Sequence, residues 1–223
     1  MKTLKSMLSL ILVIAMLLTS VAVFADETAP ATTTETTTEA TQEPVSNIVR
    51  EFPDVTKTEK YYDAVQILNK LDIIKGYEDG TFGPMKNVTR AEFVKMLVLA
   101  TGIEPAEDYS GYFADVKKDD WFAPFVEAAK TAGIATGADG KFMPDENISR
   151  EDMAVLLYRA YGFEASENER DVFIDSNLIS DYAKSAVFAL YEKGIILGNG
   201  NGEFNPKGNA LRAEAAQIIY RSI

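Results

Sequence analysis

Residues 73–92 read IIKGYEDGTFGPMKNVTRAE, and the same pattern returns twice further along the chain. The turn Gly76-Tyr77-Glu78-Asp79-Gly80-Thr81-Phe82-Gly83-Pro84 leads to Thr89-Arg90-Ala91-Glu92. The second copy runs from Gly137-Ala138-Asp139-Gly140-Lys141-Phe142-Met143-Pro144 to Ser149-Arg150-Glu151-Asp152. The third runs from Gly198 through Gly202-Glu203-Phe204-Asn205-Pro206 to Leu211-Arg212-Ala213-Glu214. The three arginines stand 60 and then 62 residues apart. A unit repeated at this period denotes copies that stack on one another, each too small to bury a core alone.

Each copy opens with Phe-x-Asp: Phe52-Pro53-Asp54, Phe113-Ala114-Asp115 and Phe173-Ile174-Asp175. A first helix follows, with Ala64, Ile67, Leu68 and Leu71 at helical spacing. Phe125, Val126, Ala129 and Ala132 repeat that spacing, as do Ala186, Val187, Leu190 and Tyr191. In the turn, Gly supplies positive φ without strain. A short extended piece then carries Phe82, Phe142 or Phe204 inward, and a proline ends it.

The second helix starts at the arginine. Thr89 with Glu92 has the form of a capping box, and Ser149 with Asp152 is a shorter version. Leu211 cannot cap, which predicts a loss of about 1 kcal/mol at that helix start. The predicted fold is mainly α: three helix–loop–helix units sharing one core, with traces of strand.

The 223 residues carry 22 basic and 34 acidic side chains, no histidine and no cysteine. This excludes Ser-His-Asp and Cys-His catalysis, His-containing zinc sites and disulfides. No phosphate-loop or dinucleotide fingerprint is present. Paired-carboxylate chemistry is open on composition alone, but no motif selects a pair. Asp79-Gly80 lacks the spacing of a calcium loop, so neither a metal nor a cofactor is expected.

Residues 1–25 read as a secretory signal peptide: Lys2 and Lys5, an apolar run, then Val23-Phe24-Ala25 before Asp26. Its removal leaves 20 basic and 34 acidic residues, a net charge of −14. So acidic a protein is not expected to bind nucleic acid or an anionic membrane surface through its general field. Residues 26–47, rich in Thr, Glu, Ala and Pro, read as a disordered linker. The units are assigned to 48–108, 109–168 and 169–223.

Phe-x-Asp-Val, an aromatic six or seven residues later, Gly-Tyr-x-Asp-Gly-Thr-Phe-x-Pro and Thr-Arg-Ala-Glu together resemble the S-layer homology (SLH) domain, which is commonly found as three tandem copies. The resemblance covers everything after the linker. It implies a pseudo-threefold helical assembly. It also implies inter-unit grooves that bind a cell-wall polymer, a secondary polysaccharide with pyruvylated sugars or a modified peptidoglycan. Arg90, Arg150 and Arg212 come over as ligand arginines, since a guanidinium fork matches a carboxylate. The helix start is expected to place backbone N–H donors beside them. Asp54, Asp115 and Asp175 come over as acceptors for sugar hydroxyls or as groove organisers. Trp121 and Tyr182 come over as groove aromatics, and Gly76, Gly137 and Gly198 as the turn glycines.

At the position of Trp121 and Tyr182, the first unit has Lys60 with Tyr61 and Tyr62 beside it. Each arginine has a second reading, as a bridge to the acids of the next unit. The expected function is a secreted, non-catalytic wall anchor. The alternatives are a surface protein–protein module and, less favoured, a wall-glycan-processing enzyme.

Overall fold

The computed structural model describes residues 51–166 and 172–223. All lie within one compact unit, residues 45–223. The signal peptide and the linker assigned to 1–47 fall outside the described residues.

Among the described residues six α-helices follow one another: α1 (Tyr62–Lys70), α2 (Arg90–Thr101), α3 (Ala123–Thr131), α4 (Arg150–Tyr161), α5 (Asp181–Glu192) and α6 (Arg212–Tyr220). A 3-10 turn, Ser176–Leu178, precedes α5. Extended pairing among the described residues is limited to isolated bridges. The chain is therefore mainly α, as its repeats predict.

Each repeat is a hairpin of two helices around a Gly turn. Phe82, Phe142 and Phe204 are wholly buried. Each lies against the phenylalanine that opens its own repeat, with ring centroids 5.7, 5.6 and 5.5 Å apart. Such pairs add about 0.5–1.5 kcal/mol each beyond their area burial. The apolar stripe of α1 differs from expectation. Ala64, Val65 and Leu68 are buried, whereas Ile67 and Leu71 are exposed. α1 turns its 64/65/68 face to the core, which puts 67 and 71 on the outer side.

The second helix of each repeat packs on the first helix of the next: α2 on α3, α4 on α5, and α6 back on α1. Backbone bonds close the same circle. The Val88 N–H donates to the Ala210 carbonyl, Ile148 to Val88, and Ala210 to Ile148, at 2.9, 3.0 and 2.9 Å. All three residues are fully buried. The chain is thus a closed ring of three repeats rather than an open stack.

Ring closure also caps the second helices. The first two N–H groups of α2 donate to Glu146 and Pro144, those of α4 to Gly208 and Pro206, and those of α6 to Lys86 and Pro84. These helix-start donors are satisfied by the neighbouring repeat, so the expected free N–H groups beside the arginines are not there. The third N–H is capped locally, by the Thr89 hydroxyl in α2 and the Ser149 hydroxyl in α4. Leu211 offers no such acceptor, as predicted from its side chain. Even so, Glu214 still accepts from the Leu211 N–H at 2.9 Å, so half of the box remains.

Candidate functional site

The arginines sit where the ring closes. Arg90 Nε donates to the Phe142 carbonyl at 2.9 Å, Arg150 Nε to Phe204 at 2.7 Å, and Arg212 Nε to Phe82 at 3.0 Å. Each Nη1 then meets an acid in the first turn of the partner repeat's second helix. Arg90 faces Asp152 at 3.6 Å, Arg150 pairs with Glu214, and Arg212 meets Glu92 at 3.1 Å. Arg150 and Arg212 are buried. The bridging role is therefore present at all three positions. Glu92 also completes its capping box on the Thr89 N–H and accepts from the Tyr77 hydroxyl.

The aspartates organise the turns. Both oxygens of Asp54 accept from the Phe82 and Gly83 N–H groups, at 2.9 and 2.7 Å. Asp115 does the same for Phe142 and Met143, and Asp175 for Phe204 and Asn205. None of the three lines the cavities described below. Gly76, Gly137 and Gly198 have positive φ and approach a backbone carbonyl across the turn, of Thr81, Lys141 or Glu203, so closely that no Cβ fits, with the Phe-x-Asp ring packed beside it.

Among the described residues, a cavity lies at each of the three junctions between repeats. The first, about 410 Å³, is lined by Gly76, Tyr77, Glu92, Lys95, Trp121 and Arg212, among others. The second, about 440 Å³, includes Arg90, Gly137, Met143, Asp152, Arg159 and Tyr182. The third, about 50 Å³, includes Arg150, Gly198, Glu214, Gln217 and Arg221. Each cavity takes its turn and second helix from one repeat and its arginine from the preceding one in the ring. In the first two, the rim aromatic comes from the following repeat. The geometry thus brings the arginines, turn glycines and aromatics together and leaves the aspartates behind the turn.

The rim differs between cavities. Trp121 is 55% and Tyr182 58% exposed. The single proton of the Tyr182 hydroxyl is shared between two acceptors, Glu151 at 3.0 Å and Asp152 at 2.8 Å. At the third cavity, Tyr61 turns into the core and the Lys60 carbonyl accepts from Gln217 Nε2 at 3.2 Å. No aromatic rim residue equivalent to Trp121 or Tyr182 lines that cavity.

Sequence reasoning missed four groups. Tyr77 lies beneath the Arg212 guanidinium, 4.6 Å from its ring centre. Lys95 stands over Trp121. Arg159 and Arg221, each nine residues after a helix-start arginine, donate to the equivalent carbonyls of Ile134 and Ile195. That shared spacing was visible in the sequence. The fourth is Glu151, buried and accepting from Ser180, Tyr182 and Lys207.

Burial pushes the Glu151 carboxyl up, but bonds from Lys207, Ser180 and Tyr182 outweigh it and hold the group below its ordinary value. Asp115 behaves alike: burial raises it, and the Phe142 and Met143 N–H groups bring it below its ordinary value. A carboxyl depressed in the fold contributes stability above its unfolded pKa and loses it as pH falls through the folded value. The urea midpoint should therefore hold near neutrality and fall below about pH 4.5. Glu151→Gln should lower the neutral midpoint and make the acid loss shallower.

The sequence profile of the S-layer homology domain matches residues 51–94, 112–154 and 173–216, more than half of the chain. The chain belongs to the S-layer homology domain family. An amylopullulanase of Thermoanaerobacterium thermosulfurigenes is 41% identical over 162 residues, 71% of this chain and 9% of that protein. Exoglucanase XynX of Acetivibrio thermocellus is 44% identical over 163 residues, 71% of this chain and 15% of that protein. The S-layer protein sap of Bacillus anthracis is 32% identical over 181 residues, 80% and 22% of the two chains. The SLH chain thus spans less than a quarter of the length of these relatives. SLH domains mediate attachment of S-layer proteins to the cell wall. Among the described residues, no helix is long and apolar enough to cross a membrane. No cluster of three or more metal-ligating His, Cys, Asp or Glu side chains occurs among them either.

Proposed function

We propose that this SLH chain is a secreted, non-catalytic cell-surface module. It attaches non-covalently to the wall by holding an anionic wall polysaccharide in the grooves between repeats. The observation that carries this reading is the pair of open grooves, about 410 and 440 Å³, each combining a Gly turn, an arginine and an exposed aromatic ring from different repeats. An aromatic face packs against the apolar face of a sugar while polar groups around it fix orientation. Pyruvate ketals on the sugars would supply the negative charge that a net acidic protein binds only through locally placed cations. The third groove, about 50 Å³ and without a rim aromatic, takes no part. The non-catalytic reading is supported by the groove carboxylates nearest the arginines. Glu92 and Asp152 serve as partners of arginine and tyrosine hydroxyl groups.

The test is wall binding by Trp121→Ala and Tyr182→Ala. Both rings are more than half exposed, so the fold should persist in each variant. Each substitution should weaken co-sedimentation with sacculi by about tenfold, as loss of a stacking ring does. Binding unchanged in the folded double variant would refute the groove assignment.

A further inference from the structure

The open grooves differ in where they keep a cation that is not paired with a carboxylate. In the first groove, Arg212 already serves the Phe82 carbonyl and Glu92. Its charge is committed to ring closure. Lys95, one turn further along α2, is in a different position. Its ammonium lies 5.3 Å from the Trp121 ring centre and 5.4 Å from that of Phe125. Among the described residues no carboxylate pairs with it. Burial lowers its pKa and Lys75 lowers it further, with Asp72 opposing them weakly. A half-buried cation over aromatic faces, without a counter-ion, is a poorly solvated charge that an incoming anion would stabilise.

The other grooves place the equivalent charge elsewhere. The positions matching Lys95 are Val155 and Gln217. Their cations are Arg159 and Arg221, four residues further along the helix than Val155 and Gln217. The matching residue of the first repeat is Leu99. Positions four apart share a helix face about 6 Å from each other. The cationic spot is therefore shifted by one helical turn between the first groove and the second.

We infer that Lys95 is the anion-reading residue of the first groove. It takes the carboxylate of an acidic sugar whose ring lies on Trp121, and the second groove reads a differently placed anion through Arg159. This inference rests on the proposed wall-glycan function. Glycan binding would draw the ammonium off the indole face, and Trp121, the sole tryptophan, reports the event by its emission.

The test uses the full chain after signal removal and two probes, a methyl hexoside bearing a 4,6-pyruvate ketal and the same hexoside without it. Titration followed by Trp121 emission should show the wild type binding the ketal form at least tenfold more tightly. Lys95→Met, which keeps the apolar stem, should bind both probes equally and weakly, and Lys95→Arg should restore the preference. Lys95→Met retaining the full preference would overturn the role of Lys95 and leave the wall-binding function standing. Equal binding of both probes by the wild type would overturn it as well. A wild type that binds neither probe nor sacculi would overturn the inference together with the function beneath it.

Discussion

Arg212→Ala should lower the stability of the module by about 3 kcal/mol, read as a fall in the urea midpoint with an unchanged slope. Its guanidinium is held at the junction of the last repeat with the first. Nε donates to the Phe82 carbonyl at 3.0 Å and Nη1 to Glu92 at 3.1 Å, with the Phe82 ring 5.2 Å away. The Arg212 side chain is 7% exposed and that of Glu92 is 20% exposed. Removal leaves a largely desolvated carboxylate without its cation, and breaking a buried pair costs about 3–5 kcal/mol. Glu92 keeps its bonds from Tyr77 and Thr89, so the lower end applies. Arg90→Ala should cost less, because its partner Asp152 lies at 3.6 Å and is 35% exposed. If the two variants were equally stable, the clasp would not be what closes the ring.

Gly137→Ala should be at least as damaging, about 3–5 kcal/mol. A Cβ at this position would lie 2.3 Å from the Lys141 carbonyl oxygen and 2.5 Å from Phe113 Cε1, at φ +63°. The first obstacle is backbone, and the second is a ring already packed against Phe142. Neither can retreat without disturbing the turn that Asp115 holds. Positive φ costs an L-residue roughly 1 kcal/mol, and overpacking adds about 1–3 kcal/mol or more. Gly140, in the same turn, is the control. A methyl group there would meet nothing within 4 Å, so Gly140→Ala should cost only the φ strain. Thermal unfolding of the two variants side by side checks the contrast. Equal midpoints would mean that the turn tolerates displacement.

The architecture was legible because each repeat states its punctuation in sequence: Phe-x-Asp, the glycine turn, the proline and the helix-start arginine. The buried phenylalanines and the capping role of Glu92 follow from local rules that need no knowledge of the neighbours. The reach of Arg90 to the carbonyl of Phe142, 52 residues away, does not. A sequence written linearly cannot say that the third repeat returns to the first, so one arginine reads equally well as ligand or as clasp. The same applies at the third groove. Lys60, Tyr61 and Tyr62 offered several registers, and packing decided between them by burying Tyr61 and leaving the Lys60 backbone at the rim. Ile67 and Leu71 fit the helical period as well as Val65 does, and only the direction of packing separates them.

Ring closure also bears on the grooves themselves. The first groove draws Gly76 and Lys95 from one repeat, Trp121 from the second and Arg212 from the third. The second draws Gly137 and Arg159, Tyr182 and Arg90 in the same cyclic order. A groove of this kind is complete only when all three repeats are folded together, so the proposed groove binding would depend on the stability of the whole module.

The most direct measurement is co-sedimentation of residues 26–223 with sacculi, intact and chemically stripped of their secondary polymer. A glycopolymer anchor should pellet saturably with intact sacculi and fail to pellet with stripped ones. Equal pelleting with both, or none with either from a folded protein, would contradict it.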